Sequence, residues 1–394
     1  MIKNVRIRAI DGSAPGGLGA RLLDFDLRDG KHQTPTRPIS IPDFKAKRYL
    51  AFRGTLEGCL AAVQINLQGD RLASFRANNG AVIETARELT KFSDKSAFFE
   101  NFAVLDVCPI APNDDILKLL FEKQAEVPTL HNISLPPLAT NDPDVYARKV
   151  TEWQKEAEGR GKGLVPQIDL HDDPALIREE LKRLSQLAES DATPLVNLVY
   201  VDPKTHPLQY FEVWTAARDS RMIFNCSGVP RESDSLSSNL RESTAVQLER
   251  YGIDSNTPKT KRASWKYIYM MQRAPPPASV DEVDNWDWAF HPAGAYLAPE
   301  YWRGLPPHDV SCSCKLCKAK VQSEIIETYG RNAQGALDRT ALVGMSRLHD
   351  GLSHNQELIR LQRRIEAREV GWYFDEMGRV RNAFGTSSAS TTLA

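Results

Sequence analysis

Residues 163–170, Gly163-Leu164-Val165-Pro166-Gln167-Ile168-Asp169-Leu170, form a short and almost uninterrupted apolar run. Directly after it the period changes: within 174–189, Leu176, Ile177, Leu181, Leu184 and Leu187 fall on one helical face, with charges opposite. A near-continuous apolar strand followed by an amphipathic helix describes a strand buried on both faces. The unit recurs in both directions. Apolar runs at 102–107, 130–135, 195–201 and 221–226 are bounded by Pro, Gly, Asp or Asn, and 144–158 carries another helical pattern. This alternation predicts an α/β fold with parallel strands, first as a (β/α)8 barrel of the TIM type and second as an open doubly wound sheet. Either architecture puts the functional site at the C-terminal ends of the strands.

The chain has 394 residues, of which 41% are hydrophobic and 26% charged, values that suit a globular protein with a large core. With 50 Lys and Arg against 51 Asp and Glu the net charge is −1, so only local basic runs argue for a nucleic-acid partner. Residues 1–19 hold no apolar run of signal-peptide length and no long apolar stretch occurs elsewhere, which predicts a cytoplasmic location and no membrane. Cys59, Cys108 and Cys226 are scattered and are expected as thiols there. Residues 1–40, rich in Gly, Arg and Pro, read as irregular or edge structure. The organisation expected is a divergent N-terminal part of the barrel domain at 1–100, the barrel core at 101–300, a subdomain at 301–385, and a disordered tail of mainly Ser, Thr and Ala at 386–394.

The subdomain takes its character from Cys312-Ser313-Cys314-Lys315-Leu316-Cys317, followed by His349 and His354. Thiolates at this spacing can converge on one ion, and a later His can close a tetrahedron. Three sulfurs and one nitrogen with no vacancy describe a structural zinc site.

This Cys-x-Cys-x-x-Cys pattern, followed by Ser353-His354-Asn355 opening a helix with Arg360, Arg363, Arg364 and Arg368, resembles the zinc subdomain of the tRNA-guanine transglycosylase family. The resemblance favours His354 as fourth ligand and leaves His349 as the alternative. It also gives meaning to three strand-end segments. Val104-Leu105-Asp106-Val107-Cys108-Pro109 resembles the family's base-binding segment, in which a carboxylate accepts from the guanidine-like edge of the base. Gly163-Leu164-Val165-Pro166-Gln167 matches the strand whose Gln reads the base carbonyl, with Asp169 on the same strand face. Ser227-Gly228-Val229-Pro230 resembles a turn whose Gly lets the backbone approach a flat ligand.

The family exchanges guanine in a nucleic acid for a 7-deazaguanine through a covalent aspartyl-glycosyl intermediate, a retaining double displacement. By resemblance, Asp254 in Tyr251-Gly252-Ile253-Asp254 is the nucleophile, with Asp287 as runner-up. Two departures stand out. Thr257 occupies the position where the family has its Asp, and no Asp-Ser-Gly-Gly-Phe-Gln motif is present; the nearest segment is Asn78-Asn79-Gly80, a turn signal. Divergence over 1–100 resembles the branch that inserts 7-cyano-7-deazaguanine or a relative into DNA, with tRNA as second substrate. The alternative is an inactive barrel that binds nucleic acid or serves as a partner subunit. Lys261, Arg262 and Lys266, interleaved with Trp265 and Tyr267, and the helix arginines Arg360, Arg363 and Arg364 are the expected nucleic-acid contacts. A homodimer is implied by the resemblance alone.

Overall fold

The computed structural model describes residues 2–14, 16–39, 60–77, 80–96, 99–188, 195–230, 240–259, 295–297, 331, 334–337 and 339–387. The chain begins with an antiparallel meander of β1 (Lys3–Ala14), β2 (Leu18–Leu27) and β3 (Gly30–Gln33), in that order across the sheet. Residues 3–33 are therefore largely strand, with β1 and β3 at the sheet edges as the composition suggested, and only the irregular half of that expectation fails. Along β1 only Val5, Asp11 and Ala14 are buried, so the strand carries no period-two signature.

Parallel strands and helices then alternate. They are β4 (Leu60–Asn66), α1 (Asp70–Arg76), α2 (Gly80–Lys95), β5 (Glu100–Asp106), α3 (Asp115–Ala125), β6 (Asn132–Leu135), α4 (Pro143–Gly159), β7 (Gly163–Asp169), α5 (Pro174–Ala188), β8 (Leu195–Val199), α6 (Pro207–Asp219) and β9 (Ile223–Val229). Beyond them come β10 (Leu240–Glu242), α7 (Thr244–Leu248), β11 (Ser255–Pro258), β12 (Ala295–Leu297), α8 (Arg339–Glu366) and α9 (Val370–Ser387). A boundary at residue 100 would cut the β4–α2–β5 unit, since β4 pairs in parallel with β5. Local chemistry starts the helices: Asp114 caps α3 by accepting from Ile116 N at 2.9 Å, and Asp142 caps α4 ahead of Pro143.

Strands β6, β7, β8, β9 and β11 form a parallel sheet in the order β11-β9-β8-β7-β6. The seam between β5 and β6 is bridged by side chains. Asn132 Nδ2 donates to Asn101 O at 2.9 Å, and Ser134 Oγ donates to Ala103 O. Gln124 of α3 accepts from Ser134 N at 2.8 Å and donates to Ser134 O at 3.0 Å. On the far side, the extended segment 34–39 makes parallel bridges to both flanks, Thr36 with Ser255 and Ile39 with Ala61. Thr36 N donates to Asp254 O at 2.8 Å, and Ile39 N donates to Leu60 O at 2.9 Å.

Alternate residues of each parallel strand face two different cores. The outer set, with Leu164 and Ile168 of β7, packs on Ile177, Leu181 and Leu184 of α5. The inner set, Leu60, Ala62, Phe102, Val104, Val165, Leu195 and Ile223, packs on Ile2, Val5, Leu23 and Phe25 of the meander. The meander thus closes the N-terminal ends of the strands with apolar side chains, each worth about 1.5–3 kcal/mol when fully buried.

Residues 240–251 hold β10, the short α7 and a turn. Gly252, at φ 74°, follows that turn, and a Cβ there would come within 2.6 Å of Ala217 Cβ, so the chain must pass α6 as glycine. His354-Asn355 does not open a helix: α8 begins at Arg339 and His354 lies well inside it. Helix α9 reaches Ser387, past the expected start of the tail, and the tail residues beyond it lie outside the described residues. Leu361 and Ile365 of α8 and Val370, Tyr373 and Met377 of α9 pack on Ala20 and Leu22 of β2. Among the described residues no helix is long and apolar enough to cross a membrane.

Candidate functional site at the C-terminal strand ends

The inner face changes character along the strand direction. Leu60 and Ala62 give way to Gln64 and Asn66 on β4, and Phe102 and Val104 give way to Asp106 on β5. On β7 Val165 is followed by Gln167 and Asp169, on β8 Leu195 by Asn197, and on β9 Ile223 by Asn225 and Ser227. Five strands turn from apolar to polar, each toward its C-terminal end. A polar layer above an apolar floor is costly unless its members satisfy one another or a ligand.

Most of that satisfaction is internal. Gln167, Asn197, Asn225 and Ser255 stand in register on four neighbouring strands, and all are 0% exposed. Asn225 Nδ2 donates to Asn197 Oδ1 at 2.7 Å, and Asn197 Nδ2 donates to Gln167 Oε1 and to Ser227 Oγ, both at 2.9 Å. Ser255 Oγ and Thr257 Oγ1 donate to Asn225 Oδ1 at 2.9 and 3.1 Å. Gln167 Nε2 is buried, and no acceptor meets it among the described residues. Thr257, which stands where the resembling family has its Asp, is therefore a member of this buried layer.

Toward solvent lie the carboxylates. Asp106, half-buried at the end of β5, accepts from Gln64 Nε2 at 3.0 Å and from Gln68 Nε2 at 2.6 Å. Asp169, also half-buried, accepts from its own loop, His171 N at 3.0 Å, and lies 2.6 Å from His171 Nδ1. The His171 ring stacks edge-on to His206, with centroids 6.0 Å apart. Burial, with Asp169 beside it, pushes the carboxyl of Asp172 up to about 6. Glu180 of α5, buried beneath this loop, is pushed up to about 8, chiefly by burial and then by Asp172 and Asp169. Gly228, next to last in β9, has φ 75°, a backbone conformation that favours glycine, and a Cβ there would meet no atom within 4 Å.

Asp106, Gln167 and Gly228 thus lie toward the same ends of the strands, and Asp254 does not. Asp254 immediately precedes β11, at the opposite end, and is 1% exposed. Its Oδ1 accepts from Arg21 Nε at 3.1 Å and Thr34 Oγ1 at 3.0 Å. Its Oδ2 accepts from Arg21 Nη2 and from Phe224 N, the latter at 2.8 Å. The remaining Arg21 N–H groups go to Ala217 O, Ser220 O and Met222 O at the C-terminal end of α6, where a cation is favoured. A carboxylate with every acceptor position filled has no lone pair for attack, so this geometry suits a structural anchor, and the expected nucleophile is not among the residues gathered at the C-terminal strand ends.

Asp287, Lys261, Arg262 and Lys266 lie outside the described residues, as do Cys312, Cys314 and Cys317, Asn78 and Asn79. His354 is buried on α8, and His349 lies five residues earlier on the same helix. Among the described residues no three His, Cys, Asp or Glu side chains are grouped to hold a metal. Of the helix arginines, Arg360 pairs with Glu376 at 2.5 Å, Arg364 pairs with Glu369 and lies over Trp372, and Arg363 is exposed. Sequence reasoning missed Asn197, Asn225 and the Gln64–Gln68 pair. The available signal was a lone Asn in Leu195-Val196-Asn197-Leu198-Val199 and in Ile223-Phe224-Asn225-Cys226, because an amide inside a buried strand must have a partner.

No protein-family model matches this chain, and no curated protein matches it. Solved structures that align include one variant of the tryptophan synthase alpha-subunit from the hyperthermophile Pyrococcus furiosus, at 13% identity and TM-score 0.34, covering 57% of this chain and 87% of that one. A second variant of that subunit aligns at 14% identity and TM-score 0.36 over 57% and 87%. Likeness of this degree says nothing about activity. The fold class is α/β with parallel strands.

Proposed function

We propose that the parallel strands and the segment 34–39 make up a (β/α)8 barrel whose C-terminal mouth binds a guanine-like base, and that the chain exchanges guanine in a nucleic acid, DNA before tRNA, for a 7-deazaguanine. The observation that carries this reading is the polar inner layer, with an acceptor carboxylate at Asp106 and an unmet donor at Gln167, because a guanine-type base offers donors on one edge and a carbonyl on another. A glycosyl transfer needs a carboxylate free to attack the anomeric carbon. At this mouth Asp169 takes that role: it lies on the inner face two residues beyond Gln167, and its side chain is 14% exposed against 1% for Asp254. Attack forms the Asp169–C1′ ester as the C1′–N9 bond breaks, and the departing guanine takes a proton. Asp172, with its pKa near 6, suits the donor of that proton. The incoming deazaguanine then loses its ring proton and displaces the carboxylate.

Cys312, Cys314, Cys317 and His354 would hold a structural zinc; the burial of His354 within α8 suits a ligand better than a solvent-facing imidazole. Zinc there would fix the subdomain that carries the arginine helix and would take no part in the chemistry.

The test is base exchange: DNA or tRNA with radiolabelled guanine, 7-cyano-7-deazaguanine, and release of label. Release that is lost in Asp169→Asn supports the reading, and release unchanged in that variant removes Asp169 and leaves Asp287. The second reading, a barrel that binds without turnover, is favoured by the locked Asp254 and by Thr257. It would show base and nucleic-acid binding with no release.

A further inference from the structure

We propose that His171 carries the proton between the departing and the arriving base through its Nε2, while Asp169 attacks and leaves. The proposal rests on the base-exchange reading above and gives the proton held at Asp172 its route to the base. No motif points to this residue: His171 falls in the loop between β7 and α5, two residues past the strand.

The contacts of Asp169 decide which ring nitrogen is active. Its Oδ1 accepts from the main-chain N–H of His171 at 3.0 Å and lies 2.6 Å from His171 Nδ1. As a nucleophile Asp169 is ionised and can only accept, so Nδ1 is the donor and keeps its hydrogen. Nε2 alone then gains or loses a proton, and the His171 side chain is 61% exposed. From the loop between β8 and α6, His206 meets the ring edge-on, and His206 Nδ1 lies 2.8 Å from Thr205 Oγ1. Asp172 N donates to Asp169 O at 3.2 Å, which folds the two acids and the imidazole into one turn. Asp172 is half-buried there and His171 is exposed, so the imidazole is the member of that pair a base can meet.

The pairing couples proton transfer to attack. While Asp169 is a carboxylate it pairs with an imidazolium, a charge-assisted hydrogen bond. Its Oδ2, which meets no donor among the described residues, attacks C1′; the C1′–N9 bond breaks and its electron pair goes to guanine. The ester that forms is neutral, so the imidazolium loses its counter-charge and Nε2 gives its proton to N9 of the departing guanine. The second displacement runs the same path in reverse, as one acid/base group serves both halves of a retaining exchange. The ring N–H of the incoming deazaguanine gives its proton to Nε2 as that nitrogen bonds C1′, and the C1′–Oδ2 electron pair returns to Asp169. The one proton that His171 and Asp172 share thus leaves with guanine and is replaced by the arriving base.

The experiment compares two departing bases on the full chain. Guanine needs a proton to leave well, whereas 7-methylguanine is cationic in the nucleic acid and departs as a neutral molecule without one. DNA or tRNA radiolabelled in either base is incubated with 7-cyano-7-deazaguanine, whose substituent occupies the same ring position as the methyl group, and released label is counted. His171→Asn keeps an amide N–H for Asp169 and has no base. In that variant guanine release should fall about a hundredfold or more, while 7-methylguanine release stays within about threefold of wild type. That retained release also shows that the variant is folded, and His171→Gln repeats the comparison if the first variant does not fold. Equal loss of both bases would make His171 a positioning residue only, and unchanged release of both would make it a bystander; either result overturns the proposal and leaves base exchange standing. If the wild-type chain releases neither base, the base-exchange reading fails and takes the proposal with it.

Discussion

The two ends of the parallel strands handle buried polarity in opposite ways. At the N-terminal end, Arg21 and Asp254 meet inside an apolar setting and leave nothing over: every guanidinium N–H and every carboxylate acceptor position has a partner. At the C-terminal end the amides of β7, β8 and β9 are equally buried, but their run stops one partner short, at Gln167. Complete satisfaction marks an anchor, because a closed set has no reason to change partners. A single open valence in an otherwise satisfied set marks a place prepared for something else.

The comparison breaks most directly at the anchor. Arg21→Met leaves Asp254 buried without its cation, and removing one member of a buried pair costs about 3–5 kcal/mol. Urea unfolding should show that loss; a change under about 1 kcal/mol would mean that water or rearrangement heals the N-terminal end and that it is no more rigid than the other.

The second test concerns the acidic loop near the open end. Glu180 is held at about 8 in the folded chain against an ordinary value of 4.5. Between those values the folded state holds a proton that the unfolded state has lost, so stability should fall as pH rises from about 4.5 through 8. Glu180→Gln should flatten that limb and stabilise the protein at neutral pH by on the order of 2–3 kcal/mol. Melting curves from pH 5 to 9 check the sign, and parallel curves for variant and wild type would refute it.

A smaller effect sharpens the contrast within the amide layer. Asn225→Ala strands the hydroxyls of Ser255 and Thr257 and should cost about 1–3 kcal/mol by denaturant unfolding. That is less than the anchor, because these are neutral groups. The smallest stability change belongs to exposed Arg363 on α8. Arg363→Ala should alter stability by no more than about 0.5 kcal/mol, yet lower the slope of log affinity against log salt for DNA by about one if this face meets phosphates.

The strand–helix alternation was legible because strands buried on both faces are apolar throughout; β7 and α5 fall within a residue of the expected bounds. Asp106 and Gln167 were legible as strand-end polar groups. What the sequence hid has physical causes. The segment 34–39 carries Pro35 and Pro38, which look like punctuation, yet it bridges β11 and β4 with the N–H groups that remain. Asp254 looked catalytic because a Gly-apolar-Asp step does not say toward which end of a strand the acid falls. Its partner Arg21 lies in a stretch where the composition offered no regular structure, so the pair was invisible from either side.

Arg21 and Asp254 are 233 residues apart in the chain, and that interval has a cost in time. At about 5–20 residues per second, synthesis leaves the meander waiting on the order of tens of seconds for its counter-ion to exist. During that wait a guanidinium and the apolar face of Ile2, Val5, Leu23 and Phe25 have no native home. The first strands made are thus the last to be secured, and the risk of misassociation is concentrated in the opening segment. Nascent chains arrested before residue 254 should be cut by protease within the meander, and chains arrested well beyond residue 258 should be protected there.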